Sequence, residues 1–586
     1  MENRELKRVF SLGMWDLALE CVMDYIDDPC DRAAISLVCK KWHRIDCLTR
    51  KQLTIAVCYS TTPQRLHNRF PGLESLKVKG KPRAAMFFNL IPEDWGGYAG
   101  PWINEVALNL TCLKSLHLRR MIVKDADLDV LVRARSHILQ SLMLDKCSGF
   151  STDGLLLIAS SCRSLRTLFL DESSIIEKDG DWLHHLAMNN SALETLSFYN
   201  TELQVSWKDL VLIAKNCQSL VSLKISECDL SNLVGVLDMA TGLEEFGGGS
   251  FDGEAGEDNK YSKISFPRKL CSLGLNFLGM NEMHIIFPVA AALKKLDLQY
   301  TFLSTEDHCQ LIQRCPNLEV LEVRDVIGDK GLEVVGKTCR KMRRLRIERG
   351  EDELGLEDEH GKVSHIGLLA VAQGCLELEY LAVYVSDINN SALESFGTNS
   401  KNLRDFRLVL LEREQQITEL PLDNGILALL RGCTKLKRFS VYLRPGGLTD
   451  VGLGYLGQYS NNIKWMLLGH VGESDEGLLR FARGCPKVQK LELRGCCFSE
   501  RALALAVLQL PSLRYIWVHG YIMSSNGHDL MIMDRPFWNI ELIPRRQEVV
   551  EHNGDRVTVH PAQILAYYSI AGRRTDYPSS IVPLRQ

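Results

Sequence analysis

Cationic and aromatic side chains recur in this sequence at fixed places relative to a short apolar phrase. That regularity suggests a chemistry before it suggests a fold. Two positions after the phrase's first apolar residue stand Arg344, Trp465 and Lys490. Two residues further on come His117, Arg346, Arg407, Leu467 and Trp517. Two further again come Lys79, Arg119, Arg324, Tyr384, Tyr442, Arg494 and His519. Residues two apart on an extended strand share a face, so these groups are expected to project together. Guanidinium forks match carboxylate and phosphate oxygens, and cations crowded on one surface favour an anion among them. Aromatic neighbours supply the apolar walls of a small-molecule site. Two subsites are expected. Lys79, His117, Arg119, Arg120, Arg344 and Lys490 suit a highly charged polyanion such as an inositol phosphate. Arg83, Arg346, Arg407, Tyr384 and Tyr442, with Phe87 and Leu90, suit one carboxylate attached to apolar groups. The competing reading is a solvated face whose arginines pair with Asp or Glu on adjacent strands.

Bond-making chemistry is not indicated. The chain has no GxSxG serine elbow, no glycine-rich phosphate loop with lysine, no HExxH and no paired-cysteine metal frame. A net charge of -4 argues against general attraction to nucleic acid. Nineteen cysteines, with no long apolar run near Met1 to Trp15, point to reduced and mostly buried thiols in the cytosol or nucleus.

The elements that must position these groups follow from the phrase itself. It reads Leu113-Lys-Ser-Leu116-His-Leu118, then Leu139-Gln-Ser-Leu142-Met-Leu144, then Leu165-Arg-Thr-Leu168-Phe-Leu170, and it continues to Leu513. Steps of 26, 26, 28, 27, 25, 24 and 25 residues recur, the mark of a leucine-rich-repeat solenoid. Helix-like runs such as Leu155–Ala159 and Leu368–Ala372 separate the phrases. Each such unit buries its apolar side only by stacking on its neighbours. Cys162, Cys217, Cys315, Cys339, Cys375, Cys433 and Cys485 each precede a phrase by three residues. A small apolar residue suits the packed corner where helix returns to strand, whereas one cysteine per coil makes no metal cluster. Long insertions are expected at 80–101, 349–367 and 411–421, with a polar excursion at 247–262 and a loose C-terminal end.

The first fifty residues differ. Leu19, Val22, Met23 and Ile26 fall at helical spacing, and a second helical run spans Asp31 to Lys41, followed by Trp42. So small a helical core should lean on the solenoid or on a partner. The fold class is therefore α/β: a three-helix N-terminal module at 10–55, a horseshoe of leucine-rich repeats at 56–538, and a C-terminal cap and tail at 539–586.

The run Asp31-Arg-Ala-Ala-Ile-Ser-Leu-Val-Cys-Lys-Lys-Trp42 resembles an F-box. With KGKPRAAMF (Lys79 to Phe87), LRIERG (Leu345 to Gly350), YVSDI (Tyr384 to Ile388) and LELRGC (Leu491 to Cys496), the whole chain resembles the coronatine-insensitive family, the jasmonate receptors of plants. The resemblance implies a non-catalytic, nuclear substrate-recognition subunit of an SCF-type ubiquitin ligase. Leu19, Val22, Leu37, Val38 and Trp42 would then bind a Skp-type adaptor, and through it cullin and RING subunits. It implies jasmonoyl-isoleucine or coronatine as ligand, held by Arg83, Ala84, Phe87, Leu90, Arg346, Tyr384, Arg407, Val409, Tyr442, Leu467, Arg494 and Trp517. It implies a structural inositol polyphosphate near Lys79, His117, Arg119, Arg120, Tyr300, Arg344, Arg407, Trp465 and Lys490. The protein partner implied is the degron of a jasmonate ZIM-domain repressor. Phe88 is one residue more than the family's loop pattern carries. An auxin-type or other hormone-sensing F-box receptor, and a non-ligase repeat scaffold, are the alternatives.

Overall fold

The computed structural model describes residues 14–23, 25–26, 28–82, 95–178, 180–251, 260–349, 363–411, 419–524, 529–544, 546–552, 555–560 and 564–584. Most of each expected insertion lies outside that set, and with it Arg83, Ala84, Phe87, Phe88 and Leu90. The chain divides into two compact units, 1–82 with 96–220 and 83–95 with 221–586.

In the first unit, helices Met14–Met23, Pro29–Ser36 and Lys40–Thr49 form the N-terminal module. The second expected helix is interrupted. It ends at Ser36, and Cys39, whose sulfur accepts from the Trp42 N–H at 3.5 Å, starts the third. Leu37 and Val38 therefore sit in the link rather than on a helix face. The buried Asp46 carboxylate accepts from Arg50 at 2.8 Å and lies 3.6 Å from Arg32, tying the second helix to the third. Parallel strands Gln52–Ile55, Ser75–Lys79, Ser115–Arg119, Ser141–Asp145, Thr167–Phe169 and Thr195–Ser197 then pair in succession, with helices between.

The second unit continues the pattern with twelve parallel strands, from Ser222–Asp229 to Tyr515–His519. Leu345 and Ile347, Leu381 and Val383, and Leu491 and Leu493 turn inward and are buried, so the residues between them face the other way. Complete burial of one such leucine is worth about 1.5–3 kcal/mol.

Cys162, Cys217, Cys339, Cys375, Cys433 and Cys485 end their helices, and all seven phrase cysteines are buried and free. Burial pushes the thiols of Cys315, Cys339, Cys375 and Cys433 up to about 12, which keeps them protonated. The residue before the cysteine matters too. A Cβ on Gly432 would stand 1.8 Å from the Gly397 carbonyl oxygen, and one on Gly374 2.0 Å from that of Gly336. Adjacent helices thus touch backbone to backbone where the chain turns.

Two expectations are corrected. The glycines of the expected excursion belong to the strand Glu245–Ser250, and 247–251 is buried. Gly248 takes φ +92°, and a Cβ there would meet the Ile225 oxygen at 2.0 Å, so a leucine cannot occupy that place in the phrase. The C-terminal end is held rather than loose. Ile564–Ser569 runs antiparallel to Tyr515–His519 and to Trp538–Ile543, and Val582–Pro583 pairs with the latter.

Candidate functional site: rows of charge and aromatic rings on the strand face

In the second unit, in-register pairing turns alternate residues into three rows. One reads Arg344, Tyr380, Asp405, Arg438, Trp465, Lys490, Tyr515. Beside it runs Asp297, Glu322, Arg346, Ala382, Arg407, Ser440, Leu467, Glu492, Trp517. The third includes Tyr384, Val409, Tyr442, Gly469, Arg494 and His519. Arg346 and Arg407 share a row with only the small Ala382 between them. Tyr384, Val409 and Leu411 form a buried cluster against which Tyr442 packs.

Arg344, Arg346, Arg407 and Arg438 have carboxylate partners, as the competing reading of a paired face expected. Arg407, 3% exposed, donates from Nε to Asp405 Oδ1 and from Nη2 to Oδ2, each at 2.8 Å. Its guanidinium also lies 5.3 Å from the Tyr380 ring and 5.2 Å from that of Trp465. Burial opposes the Arg407 charge, but Asp405 outweighs burial and raises its pKa. Arg346 is paired with Glu348 and lies 4.0 Å from Glu322. Burial again works against the charge, and these carboxylates overcome it. Arg344 lies 3.4 Å from Glu322, with its guanidinium 3.9 Å from the Tyr380 ring. Arg494 is different: burial dominates there and lowers its pKa. Asp297 is pushed up to about 6 by burial and by the neighbouring Glu322.

Other expected residues fall as follows. Val409, Leu467 and Trp517 are buried, as an apolar wall requires. Trp517 Nε1 is a buried donor with no acceptor among the described residues. Tyr442 bonds through its hydroxyl to His470 Nε2 at 3.1 Å. Its ring crosses Gly469, where a Cβ would stand 2.3 Å from Tyr442 Cδ2. Trp465 donates to Glu492 at 3.2 Å, Lys490 lies 5.0 Å from the Tyr515 ring, and Tyr300 lies beneath the Arg324 guanidinium at 5.5 Å.

The remaining polyanion residues belong to the first unit. Lys79, Arg119 and Asp145 form one row, Lys77 and His117 the next. Asp145 lies 3.0 Å from Arg119 and 3.4 Å from His117. Burial would raise the Asp145 carboxyl, but the His117 hydrogen bond and Arg119 hold it below its usual range. Arg120 donates to the Lys81 carbonyl at 2.9 Å. Burial, followed by the Arg119 charge, lowers the pKa of Lys77. That donor set fits a polyanion. Sequence reasoning missed Lys77, Tyr380, Glu322, Asp405 and Glu492, although all share the alternation that flagged their neighbours.

On the N-terminal module, Val22, Leu37 and Val38 are exposed, Leu37 at 86%, while Leu19 and Trp42 are half-buried. Among the described residues no group of three or more His, Cys, Asp or Glu could hold a metal ion. No helix there is long and apolar enough to cross a membrane.

Comparison with known proteins agrees with this division. The F-box profile matches residues 11–52, and the profile of the transport inhibitor response 1 protein domain matches 71–118. The chain is 64% identical to coronatine-insensitive protein homolog 1a of Oryza sativa over 588 residues, covering 100% of this chain and 98% of that one. It is 63% identical to the rice homolog 1b, with the same coverage. It is 60% identical to coronatine-insensitive protein 1 of Arabidopsis thaliana, covering 100% of both chains. Identity this high along the whole length leaves no other assignment: the chain belongs to the coronatine-insensitive family of F-box leucine-rich-repeat proteins.

Proposed function

We propose that this protein is the substrate-recognition subunit of an SCF-type ubiquitin ligase that binds jasmonoyl-isoleucine together with a jasmonate ZIM-domain repressor. Chains of its family are non-catalytic substrate-recognition subunits in jasmonate signalling, so the ligase chemistry belongs to other subunits. The observation that carries the finer reading is the row in which Arg346 and Arg407 flank Ala382, beside the Tyr384, Val409 and Tyr442 wall. A carboxylate on an apolar body matches both halves of that arrangement. The hormone's carboxylate would compete with Glu348 and Glu322 for Arg346, while Asp405 holds Arg407 in place. Repressor and hormone then favour each other's binding, a coupling between two sites. The exposed Val22, Leu37 and Val38 would dock a Skp-type adaptor, which brings repressor lysines near the conjugating enzyme. Inositol polyphosphate would be held by Lys77, Lys79, His117, Arg119 and Arg120 of the first unit. Its phosphates would add to the one carboxylate, Asp145, that His117 and Arg119 share. A nuclear site of action belongs to the same proposal.

Substitution tests must respect the Asp405–Arg407 pair. Truncating Arg407 alone leaves the buried Asp405 only Arg438, at 3.4 Å, so the informative variant is Asp405→Asn with Arg407→Gln. Hormone-dependent repressor retention should fall about 100-fold in that variant while the thermal midpoint stays near that of the parent. Unchanged retention would remove Arg407 from the site. An auxin competing as well as jasmonoyl-isoleucine would favour the auxin-type alternative.

A further inference from the structure

A cavity of about 530 Å³ lies elsewhere in the second unit, lined by Glu227, Cys228, Asp229, Phe251, Phe277 and Phe302 among others. These residues sit at or just beyond the C-terminal ends of four consecutive parallel strands, Ser222–Asp229, Glu245–Ser250, Ser272–Asn276 and Lys295–Asp297. In parallel sheets that edge is where ligands bind, because the connecting loops diverge there.

Three observations show what the cavity would take. The rings of Phe277 and Phe302 stack at 5.5 Å with 20° between their planes, and Phe302 is 73% exposed. Phe277 holds φ +57°, an uncommon conformation for a bulky residue, fixed by its N–H on the Tyr300 carbonyl at 2.5 Å. Glu227 is exposed and has no hydrogen bond or ion pair among the described residues. Asp229, by contrast, is occupied: it accepts from Lys260 at 2.9 Å and from the Tyr261 hydroxyl at 3.1 Å. One unpaired carboxylate beside a stacked aromatic wall is a receptor for a flat organic cation, because the guanidinium both forks onto carboxylate and stacks on rings.

We propose that this cavity is a second recognition site that takes an arginine side chain presented by a polypeptide. The polypeptide source follows from the rim and the charges. The exposed Phe302 can cover an apolar neighbour of the arginine. The lysine at the cavity is already committed to Asp229, so it offers no anchor for the carboxylate of a free amino acid. The site works without hormone and stands apart from the Arg346–Arg407 row.

The test titrates the full chain with acetyl-Leu-Arg-Leu-amide, with its uncharged citrulline counterpart and with free L-arginine, by calorimetry at low salt. The arginine peptide should bind about tenfold more tightly than the citrulline peptide, and free arginine more weakly than the peptide. Glu227→Gln and Phe302→Ala, both exposed positions, should each weaken the peptide about fivefold, and Asp405→Asn with Arg407→Gln should leave it unchanged. Equal binding of the arginine and citrulline peptides, or an unaltered affinity in Glu227→Gln, would overturn the proposal. Free arginine matching the peptide would overturn its polypeptide part.

Discussion

Arg574 and Arg407 are both buried and both forked against carboxylates, yet they do opposite things with their nitrogens. Arg574 donates from Nε to Asp576 at 2.8 Å, from Nη1 to Glu541 at 2.8 Å and to the Tyr568 hydroxyl at 3.0 Å, and from Nη2 to the Trp95 carbonyl. Its guanidinium lies 4.4 Å from the Trp95 ring and 4.7 Å from that of Tyr577. Glu541 in turn accepts from Trp95 Nε1 at 3.0 Å. Every nitrogen is used, and both members of the pair are 0% exposed. Arg407 places Nε and Nη2 on Asp405, and its Nη1 has no partner among the described residues. Burial alone therefore does not separate a structural ion pair from a binding one. The count of unused donors does, because a guanidinium nitrogen without an acceptor stays open to whatever can accept from it.

The contrast can be broken at either end. Arg574→Met leaves Glu541 enclosed without its counter-charge, so it should cost about 3–5 kcal/mol in urea unfolding. If the loss were under about 1 kcal/mol, the network would not be the sealed anchor described. A smaller effect belongs to the acidic end of the row that holds Arg346 and Arg407. Asp297 titrates near 6 in the folded protein, above the ordinary carboxylate range. Its protonated form is the one folding favours. That stability is fully present below the ordinary aspartate pKa and is lost as pH rises through about 6. The loss should be on the order of 3 kcal/mol, and Asp297→Asn should flatten that part of the stability-against-pH curve. Protonation of Asp297 also removes a negative charge two strand positions from Arg346 in the row, so anion binding should strengthen below pH 6. The smallest effect on the fold is expected at the N-terminal module. Leu37→Asp and Val38→Asp should change stability by less than about 0.5 kcal/mol. The same changes should weaken adaptor binding about 100-fold in a pull-down titration.

Much of this was legible before any coordinates. The phrase period, the alternation that sends leucines inward and cations outward, and the helical N-terminal module follow from local pattern; the break between Ser36 and Lys40 does not. The counter-charges were equally visible in principle, since Glu322 and Asp405 stand at the same alternate positions as Arg346 and Arg344. Attention to cations alone passed over them. The strand at Glu245–Ser250 was hidden because Gly248 occupies the place of the phrase's last leucine after Leu243 and Phe246. The Trp95–Glu541–Arg574 network could not be read at all. Its members lie 446 and 479 residues apart, and no local pattern encodes such a pairing.

The most direct measurement is retention of a repressor degron by the adaptor-bound chain, titrated with jasmonoyl-isoleucine. The account predicts that retention rises steeply with hormone in the parent and hardly at all in Asp405→Asn with Arg407→Gln. Retention that is the same with and without hormone in the parent would contradict it.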